Sequence, residues 1–209
     1  VLYAFARETS LVWYILLPVC GITTIYFLRK CLFRNRKNKG ITEIYKTLDQ
    51  RKDHLPLFKV PSHILNGFFT VAFGGSTGIE VSTVVATATV GNEAYKQDFS
   101  ARMYKRELVS AGVAAGVGVL FGSPLTGLLF ALEVIARKIS RSLLISCFSA
   151  ALLTSGFVFV TGNAPLLPFE VQSWAWKALP FFAVLSLFGA FLSIYFTLLV
   201  IRVKAFFSR

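Results

Sequence analysis

With 55% hydrophobic residues, 15% charged residues and a mean hydropathy of +0.65 over 209 residues, the chain is too apolar for an ordinary soluble domain, in which about a quarter of residues are charged. Lys and Arg number 22 against 10 Asp and Glu, a net charge of +12, but these cations flank apolar runs and no aromatic RNA-binding motif interleaves them, which argues against a nucleic-acid partner. Cys20, Cys31 and Cys147 have no CxxC or metal-ligand spacing and are not paired with His54 or His63, so neither zinc, nor disulfides, nor another cofactor is expected.

A membrane span takes roughly 20 mostly apolar residues. Stretches 11–28, 60–90, 108–136, 143–160 and 178–201 approach or exceed that length. The first contains Pro18 and Gly21, both tolerated in membrane helices, and ends in a basic run that includes Arg29, Lys30, Arg34, Arg36, Lys37 and Lys39. Positive residues beside spans face the cytoplasm, whereas the connector 161–174 holds Glu170 and no Lys or Arg, and so reads as an outside loop. The path is therefore inward through 11–28, outward through 143–160 and inward again through 178–201. The expected class is an all-α, polytopic membrane protein in a single transmembrane domain over 1–209. Because the chain opens on Val1 rather than Met, it is expected to be part of a longer protein.

The spacing of Ile41, Ile44, Tyr45 and Leu48 predicts a short amphipathic helix over 40–48, with Thr42 and Glu43 suited to its start. Residues 49–61 are polar, hold Pro56 and Pro61, and read as a connector. A helix over 62–73 is followed by the break Gly74-Gly75-Ser76-Thr77-Gly78, then Ile79, Glu80 and the apolar run 81–90. Segment 110–133 repeats this grammar, with Ser123 as an N-cap and Pro124 as a first helical residue. Gly112, Gly116, Gly118 and Gly122 form two GxxxG spacings that allow close helix packing. Interrupted hydrophobic stretches point to binding sites in transporters.

Glu80 is an acid between apolar neighbours in the middle of such a stretch, where a charge costs roughly 2.5–3.5 kcal/mol even on insertion scales. Two readings stand: a carboxylate at the mouth of an ion path, or a hydrogen-bonded cap for the helix that follows. One exposed helix N-terminus contributes about 0.3–1 kcal/mol to an anion, less than desolvation costs. A site therefore needs more than one of the three candidate starts at Gly40, Glu80 and Pro124.

Three segments in order resemble the CLC family of chloride channels and chloride/proton antiporters. Gly40-Ile41-Thr42-Glu43-Ile44 resembles the end of its Gly-Ser-Gly-Ile-Pro-Glu-Ile segment, and Gly78-Ile79-Glu80-Val81-Ser82 resembles its Gly-Lys/Arg-Glu-Gly-Pro segment. Gly112-Val-Ala-Ala-Gly116 with Phe121-Gly-Ser-Pro-Leu-Thr-Gly-Leu-Leu-Phe-Ala-Leu-Glu133 is similar to its Gly-Ala-Ala-Ala-Gly helix and Phe-Asn-Ala-Pro-Leu-Ala-Gly-Val-Leu-Phe-Ala-Leu-Glu stretch. The resemblance implies one half of an inverted-repeat fold with short broken helices, and a homodimer with one pore per subunit. It further implies Glu80 as gating glutamate, and an anion path lined around Gly78, Ile79, Glu80 and Val81 and around Lys39, Gly40 and Ile41. Chloride is the implied ion, lipid the surroundings, and the plasma (inner) membrane the location of this multi-pass protein.

Lys39 stands where the family has its anion-coordinating serine, and Ile79, Val81 and Ser82 replace a basic residue, Gly and Pro. Val134 stands where proton-coupled members often carry an internal glutamate, which favours a channel over an antiporter. Trp13, Tyr14, Trp174 and Trp176 read as interfacial anchors, and Glu133 as a partner of Arg137. An enzyme would need companions that Glu80 lacks, such as HExxH or GxSxG with a histidine, and a non-conducting scaffold is the remaining alternative.

Overall fold

The computed structural model describes residues 12–31, 40–49, 55–75, 79–97, 104–136, 139–162 and 175–207. All regular structure among them is helical, as the all-α reading expects. The helices are α1 (Val12–Cys31), α2 (Ile41–Asp49), α3 (Lys59–Ala72), α4 (Ile79–Gln97), α5 (Lys105–Phe121), α6 (Pro124–Phe130), which runs into a π turn (Ala131–Ile135), α7 (Arg141–Thr161) and α8 (Leu179–Phe207). The chain divides into two compact units, 1–166 and 167–209.

In the first unit α4 and α5 form the centre. Val84, Val85 and Ala88 of α4 and Val109, Val113, Ala114 and Val117 of α5 are buried together with Ile44, Leu55, Ala131, Ile135, Leu143 and Cys147. Small residues make this closeness possible. A Cβ at Gly112 would lie 2.5 Å from the Thr87 carbonyl oxygen, and Gly91 and Gly116 stand in the same way against the Leu108 carbonyl and the Thr87 side chain. The first GxxxG spacing is thus a device for bringing α5 onto α4. Gly21 of α1 packs against Phe73, just past the end of α3, where a Cβ would meet the ring's own Cβ at 2.5 Å.

The break between α5 and α6 is closed by its own groups. Gly122 is left-handed (φ 61°), and its N–H reaches the carbonyls of Gly118 and Val119; the Ser123 N–H donates to Gly118 O at 3.0 Å. The Ser123 hydroxyl accepts from the Thr126 N–H at 3.4 Å, and Pro124 opens α6. This is the capping chemistry expected from Ser123 and Pro124. Ser140 caps α7 in the same manner, accepting from the Leu143 N–H at 3.1 Å.

Two helix starts differ from expectation: α5 begins at Lys105, ahead of the segment read from 110, and α3 is the more instructive. Helix α3 begins at Lys59, inside the segment read as a connector, and Pro61 lies in its first turn. A proline there loses a hydrogen bond that no first-turn N–H makes, so the residue that signals a break within a helix is neutral at its start.

Helix α7 and the segment Trp176–Phe207 are long and apolar enough to cross a membrane. On α7, Ile145, Leu152, Leu153, Phe157 and Phe159 are exposed, a surface that water would penalise and hydrocarbon accepts. In the second unit, a 3-10 turn (Trp176–Ala178) leads into α8, whose 29 residues end with Lys204 in the last turn. At 1.5 Å per residue α8 extends roughly 43 Å, longer than the hydrocarbon layer. Trp176, in the 3-10 turn, is exposed. Trp174, Arg137 and the side chains of Trp13 and Tyr14 lie outside the described residues.

Candidate functional site

The short helix α2 starts directly after Gly40, whose φ of +63° places it in the left-handed region that favours glycine. The Glu43 N–H returns to Gly40 O at 3.1 Å and closes the first turn. A Cβ on Gly40 would lie 3.4 Å from Cγ1 of Val81. Two segments that are 41 positions apart therefore meet, and the starts of α2 and α4 lie side by side. Ile41, Ile79, Glu80 and Val81 all belong to these two first turns, where backbone N–H groups have no partner within the helix. Lys39 and Gly78 lie outside the described residues.

Glu80 occupies the second position of α4 and is exposed. Among the described residues its carboxylate has no hydrogen bond and no ion pair. A capping acid would accept from an N–H group at the helix start, and within the described residues Glu80 makes no such bond.

Beneath α2 lies a feature that sequence reasoning missed. Glu43, in the first turn of α2, is ion-paired with Lys59 of α3, and the two residues are only 8% and 2% exposed. The Thr47 hydroxyl bonds the Glu43 carbonyl at 2.8 Å, and His63 is buried one turn beyond Lys59. An unpaired acid in the first turn would cancel the positive end of the α2 dipole; Lys59 cancels the acid and leaves the N-terminal field directed outward. Only half of the signal was present: an ionisable residue opening an apolar run demands a partner, but Asp49 and Asp53 lie nearer in sequence and only the fold selects Glu43.

Helices α3, α4 and α5 border a groove of about 660 Å³ lined by His63, Gly67, Ile79, Ser82 and Thr87 among mainly apolar residues, with no Lys, Arg, Asp or Glu in its walls. An anion would find no full charge in these walls to offset its lost hydration. The candidate residues Ile41, Glu80 and Val81 belong to the first turns of α2 and α4 and are not among those lining it. The third candidate start, at Pro124, is occupied by its own cap, and the seven-residue α6 packs Gly127 against the Ala114 carbonyl.

A family model described as voltage gated chloride channel matches residues 20–209. The chain belongs to that family. A chloride/fluoride channel protein of Pseudomonas syringae pv. tomato is 30% identical over 150 residues, 70% of this chain and 32% of the relative. A probable chloride channel protein of Mycosarcoma maydis is 33% identical over 128 residues, 57% of this chain and 11% of the relative. An H(+)/Cl(-) exchange transporter 5 of Rattus norvegicus is 38% identical over 91 residues, 41% of this chain and 11% of the relative. The chain thus spans a third or less of the length of these relatives. No solved structure matches it. Membership of this voltage-gated chloride channel family makes the chain part of an integral membrane protein, in keeping with the lipid-facing surface of α7.

Proposed function

We propose that the protein containing this chain moves chloride or another small anion across the plasma membrane as a channel, with Glu80 as its gate, and that it acts as a homodimer in lipid. The observation that carries this reading is the exposed carboxylate of Glu80, unbonded among the described residues, in the first turn of α4 beside the start of α2 at Gly40. Two adjacent helix starts supply free N–H groups and positive dipole ends to one small region. A chloride ion and the Glu80 carboxylate are both anions and compete for that region. When Glu80 is ionised it occupies the position or repels the ion; when it takes a proton it leaves the position open. Ile41, Ile79 and Val81 line the path with backbone, Gly40 and Gly78 permit close approach, and Lys39 adds a cation on the cytoplasmic side.

Val134 has no titratable side chain, so anion movement is not tied to a stoichiometric proton counter-flow by that position. A proton-coupled antiporter is the second reading. The likeness to a relative named H(+)/Cl(-) exchange transporter 5 favours it. Reconstituting the complete protein in liposomes and imposing a chloride gradient tests both. Anion flux without uphill proton movement is expected; uphill proton movement establishes the antiporter, and absence of any anion flux defeats both readings.

A further inference from the structure

Helix α2 has nine residues, too few to hold its direction unaided in the absence of tertiary contacts. Two polar ties fix it to the α5–α6 hairpin. The Tyr45 hydroxyl donates to the Val134 carbonyl at 2.5 Å. Val134 lies in the π turn that ends α6, closed by the Ala136 N–H on Ala131 O at 3.0 Å, and carbonyls in the last turn of a helix need donors from elsewhere. At the other end of the hairpin, the ammonium of Lys105, the first residue of α5, donates to the Thr47 carbonyl at 2.8 Å. The same ammonium stands 5.3 Å from the centre of the Tyr95 ring of α4. A cation at this end of α2 also complements its dipole.

Both ties leave the opposite end of α2 as the end that meets Val81. Rotation of α2 about either tie would move Gly40 and Ile41 relative to the first turn of α4, changing the spacing of the N–H groups that face an anion. We propose that Tyr45 and Lys105 are positioning residues of the anion path: they fix where the N-terminus of α2 points, and through it the anion preference of the region around Gly40 and Val81. This rests on the transport reading above. Neither residue touches the ion.

The test is the chloride-to-nitrate permeability ratio of the complete protein in liposomes, measured for the parent, Tyr45→Phe, Lys105→Met and Lys105→Arg. Tyr45→Phe keeps the ring and removes one hydrogen bond, so the ratio is expected to change roughly two- to ten-fold, the span that one such bond confers on an equilibrium. Lys105→Met should shift it in the same range, and Lys105→Arg, which keeps the charge and a donor, should restore it. A merely structural role would lower the yield of folded protein and leave the ratio parental. If Lys105→Met gives no folded protein, Tyr45→Phe decides alone. Parental ratios in folded, conducting variants overturn the inference and leave the transport reading intact; a parent that carries no anion overturns both.

Discussion

Two glycine-rich breaks interrupt this molecule, one before Ile79 and one at Gly122, and they share one sequence grammar of helix, glycines and helix. Their ends differ. At Gly122 and Ser123 the N–H groups and hydroxyl turn back onto the flanking helices, so the turn is complete in itself. At Glu80 the side chain is exposed and makes no bond among the described residues, while a second helix start lies alongside. At the first break Gly74 and Gly75 also turn back, onto Val71 O and Thr70 O, so what sets it apart among the described residues is the exposed acid in the first turn of α4. The comparison also sorts mutational effects: the closed break should answer in stability, and the open one in transport.

The largest stability effect should come from beneath the open break, where Lys59 neutralises Glu43. Removing one partner strands a buried charge, so Glu43→Gln or Lys59→Met alone should cost about 3–5 kcal/mol, and replacing both together should cost much less. Denaturant titration of the detergent-solubilised protein measures this, and equal losses in single and double variants would mean that the pair is not coupled.

Gly112→Val comes next, because its side chain would collide with the Thr87 carbonyl; overpacking of this kind costs about 1–3 kcal/mol, and the same titration reports it. At the closed break, Ser123→Ala should cost about 0.5–2 kcal/mol as a lost cap while leaving the pH dependence of anion efflux unchanged. A change in that dependence would erase the distinction between the two breaks.

Much of this was legible in the residues, for identifiable reasons. Ser123 and Pro124 announce the start of α6 through local chemistry alone, and the period of Ile41, Ile44 and Leu48 marks α2 within a residue of its observed bounds. The start of α3 was not legible, because Pro61 is a breaker within a helix and harmless in its first turn. The partnership of Glu43 with Lys59, and of Tyr45 with Val134, depends on tertiary packing that brings together positions with no shared period. For the site, Glu80 stood out through its charge in an apolar run, but its exposure and the nearness of Val81 to Gly40 are properties of the fold.

The central claim is that Glu80 competes with the transported anion rather than supporting α4. The direct measurement is anion efflux from liposomes holding the complete protein or its Glu80→Gln variant over a series of external pH values. Glutamine has the same size and no charge, and at this exposed position it should alter stability by no more than about 0.5 kcal/mol. In the parent, efflux should rise as pH falls, because protonation removes the competing carboxylate. In Glu80→Gln, efflux should already be high at neutral pH and should lose most of its pH dependence. An unchanged pH dependence in that variant would contradict the account and return Glu80 to a structural role.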